Sequence, residues 1–393
     1  MNIKSLLLGS AAALIAVSGA RAADAVTVAE PEPAEYVKIC DVYGAGYFYI
    51  PGTETCLRIG GYVRYDIGVG DVGSFDGAKA FDHRDGDEQE TFYKQARFTL
   101  KTWTGQETEL GTLKTYTETR FNFGNHNDYG FRTGAGTFNY AHNKGVSLNF
   151  AWIQLGGLRV GKDESAFDTF VGYAGNVIQD TIVPYGDFDT NVVQYYFDAG
   201  NGFSAVVSLE EGSGLKGTID SYVPHVVGGV KWTQGWGGIS GVVAYDSNYE
   251  QVTGKVRVDV TINDQFSLFG MFGYGNDGKL NDDATNVFDA HGRGFYKQWG
   301  GNWAWWAGGT YKFNEKTAFN LQVSGDDDKN YGVAANVAYT VVPGFTITAE
   351  VDYDHLGTFD SAFANNSNSL YGNWTNADKK NSVGGLLRFQ RDF

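Results

Sequence analysis

The sequence predicts an all-β chain whose 16 antiparallel strands close into one transmembrane barrel, because three observations coincide. Polar and apolar residues alternate with a period of two in one segment after another, which is typical of strands that separate two environments. Short turns alternate with mostly longer polar loops between these segments, as they do at the two ends of a membrane barrel. Aromatic residues, 15% of the chain, gather near the expected strand ends, and the chain itself ends in Phe393.

Composition argues against several other classes of protein. No stretch beyond the N-terminus approaches the ~20 apolar residues that a membrane-spanning helix needs. The net charge of −16 disfavours a nucleic-acid partner, because phosphate binding requires a basic face. Many aromatic residues and only six prolines do not fit a disordered chain.

The first 22 residues have the pattern of a secretory signal peptide. Lys4 gives a positive start, an apolar run extends from Ser5 to Val17, and Ala20 and Ala22 supply the small residues of a cleavage site. We therefore expect residues 1–22 to be removed on export, which leaves 28 basic residues against 46 acidic ones. Residues 23–55 are expected to form an N-terminal periplasmic arm that contains the disulfide segment, and residues 56–393 the barrel.

Export also determines the expected state of the two cysteines. Cys40 and Cys56 would lie outside the reducing cytosol, where a disulfide is favoured over two free thiols. The bridge would close a loop of 15 intervening residues. Closing a loop of that length stabilises a chain by roughly 3 kcal/mol.

The clearest strand begins at Leu57. Apolar or small residues occupy the odd positions from Leu57 to Val69, whereas Arg58, Arg64 and Asp66 lie at even positions. The same alternation recurs in three further segments, 96–101, 203–210 and 255–262. In each segment the apolar positions are expected to face lipid and the polar positions the interior.

Fifteen connections separate the strands, which gives the strand number. Seven are short and rich in Gly, Asn or Pro: Thr104–Thr108, Leu155–Gly157, Asp198–Gly202, Gln234–Gly237, Asn263–Gln265, Asn314–Lys316 and Val342–Gly344. The other eight are mostly long and polar: 71–91, 122–145, 163–190, 211–225, 247–253, 275–295, 325–329 and 355–379. Because the two kinds alternate, short turns are expected at the periplasmic end and longer loops at the external end.

A soluble β-sandwich, as in a secreted lectin or adhesin, shows the same alternation and must be weighed against a barrel. Sixteen strands would be unusually many for one sandwich. The aromatic clusters at strand ends and the terminal Phe393 also favour the membrane barrel.

Residues 40–66 (CDVYGAGYFYIPGTETCLRIGGYVRYD) resemble the N-terminal signature of the major porins of Rhizobiales-type alphaproteobacteria. Further matches lie at 109–113 (ELGTL), 224–229 (PHVVGG), 341–348 (VVPGFTIT) and 388–393 (RFQRDF), so the resemblance covers the whole chain. It implies a homotrimeric porin of 16 strands in the outer membrane, with the third external loop folded into each barrel. It also implies contact with outer-membrane lipid and lipopolysaccharide, and recognition of Phe393 by the barrel-assembly machinery. Arg391 departs from this pattern, because an apolar residue is expected there.

The connection from Asp163 to Thr190 is the candidate for this inserted loop. It has 28 residues, contains no Lys, Arg or His, and carries apolar residues that must pack against something, such as Phe167, Phe170 and Ile182. The barrel lumen is the available surface. Six acidic residues are expected at the constriction: Asp163, Glu164, Asp168, Asp180, Asp187 and Asp189.

The opposing wall of the pore is expected to be basic. The alternation places seven cations on the polar face of the first five strands: Arg58, Arg64, Arg97, Lys101, Lys114, Arg120 and Arg159. A charge facing lipid at mid-membrane costs about 2–4 kcal/mol, so these side chains should point into the lumen. Acids on one side and bases on the other would create a transverse field across the pore.

The sequence therefore predicts passive diffusion of small hydrophilic solutes and ions through a water-filled channel. A channel specific for one solute, or an outer-membrane enzyme, is the alternative. A solute-specific channel would show a regular run of aromatic residues down the lumen, and an enzyme would show a nucleophile–base pair. Neither is evident in the sequence. No cofactor and no metal site are expected, because the six histidines are scattered without ligand spacing.

Overall fold

The computed structural model describes residues 38–70, 72, 77–125, 131–133, 136–138, 140–276, 294–357 and 380–393. The described residues from Ile39 to Phe393 belong to one compact unit. The expected signal peptide, residues 1–22, and residues 23–37 of the expected arm lie outside the described residues. None of the helices in the described part of the chain is long and apolar enough to cross a membrane.

Sixteen antiparallel strands form one closed barrel, which confirms the predicted fold class. Each strand pairs with the next in sequence, and β1 pairs with β16 to close the sheet. The strands are β1 Cys56–Gly70, β2 Tyr93–Thr108, β3 Gly111–Gly124, β4 Ser147–Leu155, β5 Leu158–Glu164, β6 Asp189–Asp198, β7 Phe203–Gly212, β8 His225–Gln234, β9 Gly237–Asp246, β10 Gln251–Thr261, β11 Phe266–Gly275, β12 Trp303–Asn314, β13 Thr317–Asp326, β14 Tyr331–Val342, β15 Phe345–His355 and β16 Asn381–Asp392.

The two faces of the strands follow the predicted alternation. In β1 the side chains of Tyr62, Arg64 and Asp66 are buried, whereas Val63 and Tyr65 are exposed on the outside. The even positions of β1 thus point into the lumen and the odd ones outward, as the sequence indicates.

Seven short turns lie at one end of the barrel, which we call the turn end, and the longer connections lie at the other, the loop end. One predicted turn is wrong: Thr104–Thr108 belongs to β2, and the turn follows at Glu109–Leu110. Gly105 suggested a turn, but a glycine is needed here to make room for a neighbouring side chain. A Cβ at Gly105 would lie 2.7 Å from the Tyr43 ring, which packs on this part of β2.

Short elements occupy the remaining described segments. A 3₁₀ helix, Asp41–Tyr43, and a short strand, Phe48–Tyr49, precede β1. Two hairpins lie in the first two long loops, Ala78–Phe81 with Glu88–Thr91 and Phe131–Thr133 with Gly136–Phe138, and His142–Asn143 pairs with the end of β3. The helices are α1, Ala166–Thr169, and α2, Gly214–Gly217.

Cys40 and Cys56 form a disulfide, which confirms the preferred state of the two cysteines. Both are buried, and the bridge holds residues 40–55 against the turn end of β1 and β2. Tyr43 donates a hydrogen bond to Glu107 at 2.9 Å in the same region.

The C-terminus closes the barrel at the turn end. The amide and carbonyl of Phe393 exchange hydrogen bonds with Gly61, both at 3.0 Å, and its ring stacks on Phe98. Arg391 stands where the resemblance leads us to expect an apolar residue. Its guanidinium donates to the carbonyl of Pro343, in the turn between β14 and β15, at 3.2 Å.

The main apolar core lies inside the barrel rather than between two sheets. Its wall side consists of inward residues of β7–β9, β11 and β12, including Val206, Val227 and Trp306. The rest of the core comes from the connection between β5 and β6 and from three aromatic residues before β12: Phe295, Tyr296 and Trp299. We call residues 165–188 of that connection loop 3.

Candidate pore constriction

Loop 3 folds into the lumen because its apolar residues form one side of this core. Phe167, Phe170, Val183 and Tyr185 are all less than 9% exposed within it. A loop at an external surface could not bury these side chains, so their burial fixes the position of loop 3 in the channel.

The root of loop 3 is held by Glu210 of β7. Its carboxylate accepts hydrogen bonds from the Ser165 hydroxyl at 2.7 Å and the Ala166 amide at 2.9 Å. The Ser165 hydroxyl oxygen also accepts from the Phe167 amide and so caps α1. This carboxylate is buried, and these bonds satisfy it where the loop leaves the wall.

The middle of the loop is held by a buried ion pair. Lys255 of β10 donates to Asp168 at 2.5 Å and to the Tyr185 carbonyl at 2.8 Å, and it lies over the Phe167 ring. Neither charged side chain reaches solvent. Burial raises the pKa of Asp168, and the adjacent ammonium opposes that rise.

The tip of the loop crosses to β14 and β15. Glu350 accepts from the backbone amides of Ile178 and Gln179 at 2.6 and 2.7 Å, and Asn336 donates to both Glu350 and the Asn176 carbonyl. A single carboxylate that binds two consecutive amides is a strong anchor for a loop, because both bonds are charge-assisted.

Three of the six predicted acids lie on loop 3, and the other three lie on the strands beside it: Asp163 and Glu164 end β5, and Asp189 begins β6. Each of the six has a bonding partner. Three are paired with cations: Asp163 with Arg159 at 2.6 Å, Asp168 with Lys255, and Asp189 with Lys162. The other three accept from uncharged groups: Glu164 from the Tyr173 hydroxyl, Asp180 from the Tyr185 hydroxyl and Asp187 from the Phe188 amide. Burial is the main cause of the raised pKa of Asp187, and it raises that of Asp180 to about 6.

A basic cluster lines the lumen on β16 and β1–β3. It contains five cations and two acids: Arg64, Arg97, Lys101, Arg120 and Arg388 with Asp66 and Glu118. Arg64 and Arg388 both bind Asp66, at 3.1 and 2.8 Å, while Lys101 and Arg120 share Glu118. Arg388 was not among the predicted wall residues, which came from the first five strands only; closure of the barrel brings it next to Asp66, 322 residues away in the sequence.

The other three predicted wall cations lie closer to the turn end. Arg58 and Lys114 are near the first residues of β1 and β3, and Arg159 is the second residue of β5. Their side chains face the lumen by register, but they are not in the basic cluster.

Loop 3 leaves an open space on its turn side. A cavity of about 340 Å³ lies between the loop tip and β10–β12, lined by Tyr173, Asn176, Arg257 and Asp259 among others. Arg257 and Asp259 form an ion pair at 2.7 Å, so this part of the passage is polar.

Comparison with known families decides what this barrel is. The family described as "Porin subfamily" matches residues 24–386. The chain belongs to this family. It is 49% identical over 407 aligned residues to porin Omp2b of Brucella canis and to that of Brucella abortus, with both chains fully covered in each case.

Solved structures with low sequence identity share the fold of this porin. The outer membrane channel DcaP of Acinetobacter baumannii gives a TM-score of 0.58 at 15% identity, over 88% of this chain and 99% of that one. The anion-selective porin from Comamonas acidovorans gives 0.50 at 13% identity, over 86% and 100%. These similarities concern the fold alone.

This porin is an outer-membrane protein whose barrel forms a diffusion channel. The residues described above are therefore the wall and the inserted loop of a water-filled passage. In the ranges that the structure describes, no group of three or more His, Cys, Asp or Glu side chains is placed to hold a metal ion.

Proposed function

We propose that loop 3 filters small hydrophilic solutes and ions by size, and that the basic cluster opposite it filters them by charge. Arg64 and Arg97 carry the proposal, because they lie directly opposite each other in the ladder between β1 and β2. Like charges in such a pair destabilise a sheet, so their presence in the lumen favours a functional reason.

The two sides of the passage differ in charge. Five cations share two acids on the basic cluster, which leaves an excess of positive charge on that wall. On the loop side, Glu164, Asp180 and Asp187 bind hydroxyl or amide groups rather than lysine or arginine. A transverse field between these sides would favour polar solutes that align with it.

Charge selectivity is tested by reversal potential in planar bilayers under a KCl gradient. Arg97→Gln should increase the preference for cations over anions, since it removes one positive charge from the narrow part of the wall. Lys312→Gln is the matched control, because Lys312 faces the lumen near the turn end of the opposite wall. Equal shifts in both variants would contradict the assignment of the charge filter to the basic cluster.

Size selectivity is tested by swelling of liposomes in sugars of increasing size. Glu350→Gln weakens the anchor of the loop tip, so larger sugars should enter faster than through the unmodified porin. Lys312→Gln, near the turn end of β12 and away from the loop tip, is the control and should leave the size limit unchanged. An unaltered size limit in Glu350→Gln would show that the tip is not the size filter.

We also propose that the porin is a homotrimer that catalyses no reaction. Support for an interface comes from threonines on the outside of β2 and β3, where Thr102 and Thr104 bond to Thr117 and Thr115 at 2.6 Å. Outward positions of the neighbouring β1, such as Ile59 and Val63, are apolar. Contact with lipopolysaccharide, and recognition of Phe393 by the assembly machinery, are further proposals from the family.

A further inference from the structure

A row of aromatic side chains crosses the lumen wall on the turn side of the basic cluster. Arg58, Trp103, Tyr116 and Trp152 are successive partners across β1–β4, so all four point into the passage. The Trp103 and Tyr116 rings stack with centroids 5.4 Å apart, and Tyr116 lies 5.7 Å from Trp152. These rings come from three separate strands, so the sequence does not reveal that they are contiguous.

Two cations flank the stacked pair. The Arg58 guanidinium lies 4.7 Å from the centre of the Trp103 ring, and Lys114 is two residues from Tyr116 on the same face of β3. Within the described ranges, neither cation is within salt-bridge distance of a carboxylate, unlike Arg159 beside Trp152. Both are exposed to the passage.

Wall packing alone accounts for the rings but not for these charges. Cations in the basic cluster share Asp66 and Glu118, whereas Arg58 and Lys114 keep their charge available for a solute. A solute ring can pack against the lumen side of the Trp103–Tyr116 pair while a carboxylate binds the neighbouring guanidinium and ammonium. A few converging polar groups beside an apolar surface are typical of a small-molecule site.

We propose that Arg58, Trp103, Lys114 and Tyr116 form a solute-binding subsite for small ring-bearing carboxylates. The subsite lies on the turn side of loop 3 and does not depend on the filter proposed for that loop. It would make the channel a diffusion pore with a saturable preference for solutes that combine a ring and a negative charge.

The test is block of ion current through the porin in a planar bilayer at low salt, since salt screens exposed charges. The probes are 4-hydroxybenzoate, with an aromatic ring, and galacturonate, with a sugar ring. Acetate carries the charge without a ring, and glucose a ring without the charge. At least one ring carboxylate should block with saturation while acetate and glucose do not; which one does so identifies the ring.

Substitutions locate the site. Lys114→Gln and Trp103→Leu should each raise the half-blocking concentration by about fivefold, as the loss of one such contact implies. Lys312→Gln on the opposite wall should leave it unchanged, and the size limit for neutral sugars should stay the same in all three variants. Equal block by acetate, no saturation, or an equal effect of Lys312→Gln would overturn the proposal.

Discussion

At the scale of single residues, the buried pair of Lys255 and Asp168 joins loop 3 to the wall and should help to hold it in the lumen. Removing one member of a buried pair typically costs about 3–5 kcal/mol, because the other charge is left in an apolar site. Replacing both by apolar residues often costs little. The pair should therefore act as a unit.

Lys255→Met should free the middle of loop 3, because Asp168 then has no cation inside the core. Larger sugars should enter liposomes faster, and a protease should cut the loop more readily. The double variant Lys255→Met/Asp168→Leu should recover much of the original size limit. If the single and double variants behave alike, the ion pair does not determine loop docking.

The raised pKa of Asp180 should make the ion selectivity of the channel depend on pH. Burial, with the nearby Glu350 charge adding to it, raises the pKa of Asp180 from 3.8 to about 6, although the Tyr185 hydrogen bond opposes this. Acidification from pH 7.5 to 5 should neutralise the carboxyl and lower the ratio of cation to anion permeability. The measurement is reversal potential as a function of pH.

The same shift has a consequence for loop docking. Because the pKa of Asp180 is raised in the docked loop, its contribution to docking is full below the ordinary pKa and lost as pH rises through about 6. Protease cleavage of loop 3 should therefore be slower at pH 5 than at pH 7.5. Asp180→Asn should remove both effects, and a variant that keeps the unmodified pH profile would assign them to another group.

Which charged residues lie along the lumen could largely be predicted from the sequence, but their partners could not. The acids on and beside loop 3 and most basic residues of the wall follow from charge and alternation. Asp168 and Lys255 are 87 residues apart, and nothing local links them. One feature of the sequence does indicate where loop 3 packs. The pairs Val206-Val207 and Val242-Val243 break the polar–apolar alternation, because the inward valine of each pair, on β7 and β9, is covered by loop 3.

At the scale of elements, strands were predicted well because each one separates water from lipid and so carries a period of two. Turns depend on single residues and are less secure. Gly105 was interpreted as part of a turn, although it makes room for the Tyr43 ring within β2. That contact is unpredictable locally, because it joins the N-terminal segment to a strand 62 residues later.

We expect the disulfide to hold the N-terminal segment, residues 40–55, in place without being required for the barrel to form. Replacing Cys40 and Cys56 by Ser should release residues 40–55 at a cost of roughly 3 kcal/mol, as estimated for a loop of this length. The barrel should still form and conduct, because its ladder is closed by β1 and β16 without the bridge. Protease digestion from the periplasmic side should cut this segment only in the variant or after reduction.

A matched control is Tyr43→Phe, which removes only the hydrogen bond to Glu107. It should leave the segment protected while the disulfide is intact. If the double cysteine variant is as resistant as the unmodified porin, contacts such as that of Tyr43 with β2 are sufficient to hold the segment.

At the scale of the whole molecule, the barrel has two different outer surfaces. Valines and aromatic residues cover the outside of β8–β11, for example Val230, Val243 and Phe272. Towards the turn end, the outside of β2 and β3 carries paired threonines, whose hydroxyls bond to each other. Small polar residues that pack closely are typical of protein–protein contacts within a membrane.

The proposed trimer should therefore assemble through β2 and β3. Thr117→Trp would place a large ring in a closely packed interface, so the variant should migrate as a monomer on a non-denaturing gel. Val243→Trp adds the same ring on β9, where the outward side chain is 56% exposed, and it should remain trimeric because lipid accommodates the ring. Each variant should keep a folded barrel and conduct ions, since neither substitution touches the lumen. Dissociation by Val243→Trp, or intact trimers with Thr117→Trp, would place the contact on another part of the surface.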